Sequence, residues 1–103
     1  MSTSATERRA ALATGVAVSD DALVVELDDG RTLSVPLAWH PRLAHGTAAE
    51  RGQWRLVGRG EGIHWPELDE DISVEALLAG RPSGESQRSF ARWLDARRGR
   101  GAA

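Results

Sequence analysis

The stretch from Leu23 to Val35 constrains the fold most. Leu23-Val24-Val25-Glu26-Leu27 and Arg31-Thr32-Leu33-Ser34-Val35 alternate apolar and polar residues on either side of Asp28-Asp29-Gly30. Such alternation marks strands with one buried face, and the acid-acid-glycine break marks a hairpin. The register follows from the pattern. A two-residue Asp29-Gly30 turn sets Val25 against Ser34 and Glu26 against Leu33, mixing apolar with polar on both faces. A three-residue loop with Gly30 left-handed sets Val25 against Leu33 and Leu23 against Val35. Leu23, Val25, Leu27, Leu33 and Val35 then share the core face, and Glu26, Thr32 and Ser34 face water. The three-residue loop is the expected one. Pro36 ends the pairing because it has no N–H to donate.

The rest of the chain must complete a core around this hairpin. With 103 residues there is room for one core. Val16-Ala17-Val18 reads as a strand leading into Ser19-Asp20-Asp21, which has turn chemistry. Leu37-Ala38-Trp39-His40-Pro41-Arg42-Leu43 is an apolar connector with a helical turn beginning at Pro41. Thr47-Ala48-Ala49-Glu50 is a capping box and predicts a short helix through about Trp54. Trp54, Leu56 and Val57 are core candidates. Gly58, Gly60 and Gly62 then interrupt regular structure. Ile63-His64-Trp65 reads as a short strand stopped by Pro66, with Trp65 inward and His64 near a polar edge. Ser73 is an N-cap for a helix over Val74 to Ala79, with Gly80 just past its end. The fold class is therefore α+β: an antiparallel hairpin or meander, short helices, and a separate amphipathic helix at the C-terminus. Residues 1–13 are expected to be a flexible lead, 14–81 the compact domain, and 82–103 a linker and Arg-rich tail helix. In that helix Phe90, Trp93, Leu94 and Arg97 form one stripe at i, i+3, i+4 and i+7.

Several function classes are excluded at this stage. The chain has no Cys, hence no disulfide, thiolate nucleophile or cysteine zinc site. No apolar run approaches the length of a membrane span, and the N-terminus lacks an export core, so a cytoplasmic address is expected. All basic residues are Arg, which matches the Ala and Gly richness as base-composition bias. Residues 1–85 carry eight Arg against fourteen acids, and residues 86–103 carry five Arg against Asp95 alone. An acidic body repels nucleic acid, leaving only the tail to attract it.

The richest chemistry lies in Glu61-Gly62-Ile63-His64-Trp65-Pro66-Glu67-Leu68-Asp69-Glu70-Asp71-Ile72-Ser73. Glu67, Asp69, Glu70 and Asp71 beside His64 suggest a hard-cation site or acid–base work. The spacing of a calcium loop is absent. Helix capping and dipole stabilisation by Asp69, Glu70, Asp71 and Glu75 explain the same acids without a ligand. His40, His45 and His64 have no helical ligand spacing, and HExxH is absent. The glycines lack the phosphate-loop pattern. Trp39, Trp54 and Trp65 are expected in the core, since a domain this small needs large side chains to bury enough area. No catalytic residue, metal or cofactor is expected.

The run Gly62-Ile63-His64-Trp65-Pro66-Glu67-Leu68-Asp69-Glu70-Asp71-Ile72-Ser73-Val74-Glu75-Ala76-Leu77-Leu78 resembles the signature of the domain-of-unknown-function family number 2442, a group of small bacterial proteins. Asp29-Gly30-Arg31, Val35-Pro36-Leu37-Ala38-Trp39, Pro41-Arg42-Leu43 and Trp54 share the likeness, which spans about residues 14 to 81. The resemblance implies a compact α+β domain without established catalytic residues. It also implies an antitoxin-like role beside a small toxin-like partner. The leading expectation is thus a non-enzymatic protein-binding module. It would use His64, Glu67, Asp69, Glu70 and Asp71, with Arg92 and Trp93 of the tail helix contributing, and the tail helix also offers a route to a homo-oligomer. The alternatives are a small-molecule or metal-binding regulatory domain, with His64 and Trp65 lining its pocket, and a DNA-associated regulator acting through the tail.

Overall fold

Leu23 lies opposite Val35 and Val25 opposite Leu33, the register of the three-residue loop. Gly30 sits in that loop at φ +92, a region where a Cβ is strained. The computed structural model that carries this hairpin describes residues 11–102, with side chains to residue 99. Residues 1–10 of the expected lead and the Arg100 side chain lie outside the described residues.

Strands β1 (Ala13–Val18), β2 (Ala22–Leu27) and β3 (Thr32–Pro36) form an antiparallel sheet in that order. Ser19 makes the first turn by accepting from the N–H groups of Asp21 and Ala22. The strand begins at Ala13 rather than after the lead. Ala11 and Ala13 are buried, and Asp28 N–H donates to the Leu12 carbonyl at 2.8 Å.

After β3 the chain makes a 3-10 turn at Leu37–Trp39. Helices α1 (Pro41–Ala44) and α2 (Ala48–Arg51) follow. Both halves of the Thr47–Glu50 capping box are made. The helix it starts ends at Arg51, however, and Arg55–Val57 is strand β4. Trp54 and Leu56 are half-buried, and Val57 is 44% exposed, so Val57 is not a core residue. β4 pairs with β5 (Gly62–Trp65), and β5 pairs with β6 (Glu70–Ser73), giving a second antiparallel three-stranded sheet. Ser73 then caps α3 (Val74–Leu78) by accepting from the Ala76 N–H. The helix closes as expected for a glycine end: Gly80 N–H donates to Leu77 and Arg81 N–H to Ala76.

The inward faces of the two sheets share one core. Leu23, Val25, Leu27 and Val35 come from the first sheet and Ile63, Trp65 and Ile72 from the second, with Leu37, Leu43, Leu68, Val74 and Leu77 closing it. Of the expected core tryptophans, Trp65 is fully buried, while Trp39 and Trp54 pack against the core partly exposed. Helix α4 (Gln87–Ala102) follows a linker, and Ser86 caps it by accepting from the Ser89 N–H. Its stripe of Phe90, Trp93, Leu94 and Arg97 is the half-buried side of the helix. No helix among the described residues is long and apolar enough to cross a membrane.

Candidate functional site

The register of β5 and β6 divides the acidic stretch between two faces. Ile63 pairs with Ile72, His64 with Asp71, and Trp65 with Glu70. Side chains alternate along each strand, so Ile63, Trp65, Ile72 and Glu70 point to the core side, and His64 and Asp71 to the outside. The acids therefore do not gather at the start of α3. Only Glu75 lies in its first turn, and Glu70 and Asp71 belong to β6. Asp69 holds the tight turn before β6 at φ 51, a left-handed conformation that aspartate tolerates better than most residues.

On the outside, His64 Nδ1 lies 2.7 Å from Asp71 Oδ1. Asp71 stays 75% exposed there. Beside this pair runs an open groove of about 400 Å³ lined by Val57, Gly58, Glu61, Gly62, Asp71 and Ser73. Its floor is the exposed Val57 side chain and the backbone at Gly62, which has no side chain to fill it. Glu61 and Asp71 form an acidic rim. Glu67 is exposed and stands apart from the pair.

On the inside, Glu70 lines a second cleft, of about 470 Å³, with Arg42, Asp69, Asp71, Ser83, Gly84, Glu85 and Ser89. Behind it is His40, only 4% exposed. Neither ring nitrogen of His40 has a hydrogen-bond partner. Its Nδ1 is 3.9 Å from Glu70 Oε2, beyond hydrogen-bond reach. Burial pushes the Glu70 carboxyl up to about 7, against the pull of Arg42. Burial also lowers the His40 pKa. Across the cleft Arg42 forms a bidentate pair with Glu85, donates to the Asp69 carbonyl at 2.8 Å, and approaches the Asp69 carboxylate at 3.5 Å.

Helix α4 turns Trp93 toward its own domain. The Arg42 and Arg97 guanidinium groups lie 5.2 Å and 4.8 Å from the Trp93 ring. Phe90 stacks on it at 5.6 Å and meets His45 edge-on at 5.0 Å. Arg97 is also paired with Glu50. Arg92, by contrast, is exposed.

Of the residues singled out from sequence, His64 and Asp71 are brought together. Asp69 and Trp93 both meet Arg42, Glu70 is on the opposite face from His64 and Asp71, and Glu67 and Arg92 are elsewhere. His40, Arg42 and Glu85 are the residues that sequence reasoning missed as a group. The one signal for His40 was its place in an apolar connector, between Trp39 and Pro41. Among the described residues no three His, Asp or Glu converge to hold a metal. Ser89 donates to Glu85 at 2.7 Å, but the Arg42 guanidinium holds the Glu85 carboxyl below the usual range.

Two solved structures resemble this fold. A protein of unknown function from Rhodospirillum rubrum matches with a TM-score of 0.66 and 25% identity, over 77% of this chain and 98% of that one. An uncharacterised protein from Chromobacterium violaceum, solved by NMR, matches with a TM-score of 0.62 and 21% identity, over 88% of this chain and 89% of that one. No curated protein matches significantly. None of these likenesses points to an enzymatic activity. The sequence model described as "Protein of unknown function (DUF2442)" matches residues 13–83, both sheets and helices α1 to α3 but not α4, and the chain belongs to that family.

Proposed function

We propose that the protein is a non-enzymatic binding module for a basic protein partner, in the manner of an antitoxin with a small toxin-like protein. One observation carries this reading: the groove on the outer face of the second sheet combines an apolar floor at Val57 with an acidic rim at Glu61 and Asp71. An Arg or Lys side chain of a partner fits such a surface, with its methylene stem on Val57 and its charged head at the rim. The excess of acids over arginines in residues 1–85 favours approach of a basic protein. His64 orients Asp71 at the rim, while Glu67 and Asp69 lie outside this groove.

The test is co-purification with the product of the adjacent gene. Glu61→Arg with Asp71→Arg should reduce binding at least tenfold while leaving the thermal midpoint near that of the parent. Normal binding by this double variant would refute the reading. A cytoplasmic location and a lack of DNA binding belong to the same proposal. Salt-dependent DNA binding that disappears when α4 is removed would instead favour the regulator reading.

A further inference from the structure

Helix α4 is fastened by a small set of side chains. Glu85 in the linker accepts from Arg42 and from Ser89, Trp93 lies between Arg42 and Arg97, and Arg97 pairs with Glu50. Arg42 is the shared element. It holds the linker through Glu85, contacts the helix through Trp93, and bonds the turn before β6 through the Asp69 carbonyl. Glu70 lines the same cleft, yet no hydrogen bond holds its carboxyl to Arg42, and its neighbour His40 is buried with both ring nitrogens unpartnered.

From this geometry we infer that docking of α4 on the domain is controlled by a proton carried at Glu70. When Glu70 is neutral, Arg42 has one strong carboxylate partner, Glu85, and the clasp is closed. When Glu70 is ionised, a second carboxylate competes for Arg42 and repels Glu85 across the cleft. The groups facing Glu70 can be named from each element around it: His40 before α1, Arg42 on α1, Asp69 in the turn, Asp71 on its own strand, and Glu85 in the linker. Three of these five are acids, so an ionised Glu70 adds to a repulsive set.

The direction follows from linkage. Burial and the Glu85 charge both raise the Glu70 carboxyl in the docked state, to about 7. Undocking removes Glu85 and admits water, so the carboxyl is more acidic there. Docking therefore takes up a proton, tightens as pH falls below neutrality, and weakens as pH rises through it. The direction is the same if His40 carries the proton instead, because the pair then has the same net charge. An undocked α4 has little to keep it helical, since a helix of about 12–15 residues is marginal alone in water.

The experiment is NMR on the full chain, following the Trp93 indole N–H and the α4 amides between about pH 5.5 and pH 8.5. Each unit of pKa difference between docked and undocked states gives a tenfold change in the docking equilibrium, so the undocked fraction should rise about tenfold or more. Glu70→Gln should abolish that rise and keep the helix docked throughout. Glu85→Gln should loosen the helix at both extremes and remove the dependence. The inference is overturned if docking in the parent protein does not change across this range, or if Glu70→Gln retains the change.

Discussion

Replacing His40 by leucine should stabilise the protein. His40 is 4% exposed and neither ring nitrogen has a hydrogen-bond partner. A buried donor or acceptor without a partner costs about 1–3 kcal/mol, and removing the polar group removes that cost. Leucine has nearly the volume of histidine, and the negative φ of −129 at this position does not call for a glycine. Setting about 1 kcal/mol against imperfect packing leaves a gain of up to about 2 kcal/mol for His40→Leu at neutral pH. The gain should grow in acid. Burial lowers the folded pKa of His40 below its ordinary 6.5, so the unfolded chain takes up a proton that the folded chain refuses. The His40 contribution to the parent's stability therefore falls as pH drops below about 6.5, and the variant, which shares every other titrating group, escapes this loss. Urea denaturation of both proteins at several pH values gives the difference directly. A variant less stable than the parent at neutral pH, or a gain that does not change with pH, would refute the account of His40 as a buried neutral ring without a partner.

Trp65 is fully buried and its indole N–H donates to the Arg51 carbonyl at 3.0 Å, so Trp65→Phe should cost about 2–3 kcal/mol by the same denaturation assay. The corresponding change at half-buried Trp54 should cost under about 1 kcal/mol. Gly60→Ala should cost more than about 2 kcal/mol, because φ is +104 and a Cβ there collides with the Ala13 carbonyl. Gly30→Ala, at φ +92 with open space around it, should cost only about 1 kcal/mol in thermal unfolding. The Arg97 guanidinium holds the Glu50 carboxyl down to about 2, so this pair contributes stability above the ordinary 4.5 that is lost as pH falls toward 2. Arg97→Ala should remove about 1 kcal/mol at neutral pH and less in strong acid, where only its contact with Trp93 is left to lose, as acid titration of the unfolding free energy will show.

The parts of the fold that were legible in sequence are those set by neighbours along the chain. The hairpin register follows from alternation across Asp28-Asp29-Gly30, and the caps at Thr47 and Ser73 need only residues three positions on. What escaped needs a partner strand. Arg55-Leu56-Val57 is too short to show alternation, and the strong capping box ahead of it argues for more helix than forms. Glu70 looks like one of four equivalent acids until Ile72 is known to pair with Ile63, which turns Glu70 inward. Nothing local to His40 shows that the fold buries it to 4% exposure. The candidate site was accordingly half legible: His64 and Asp71 are visible from the sequence, and the cleft behind them is not.

Each sheet is built from one uninterrupted run of chain, residues 13–36 for the first and 55–73 for the second, with no crossover in either. Pairing within each run closes only short loops, so its entropic cost is small and it can proceed early. The slow event left over is the meeting of two preformed meanders through Leu23, Val25, Ile63 and Trp65. Helix α4 reaches that core only at its edge, through Trp93, so its removal should change the rate of unfolding far more than the rate of folding.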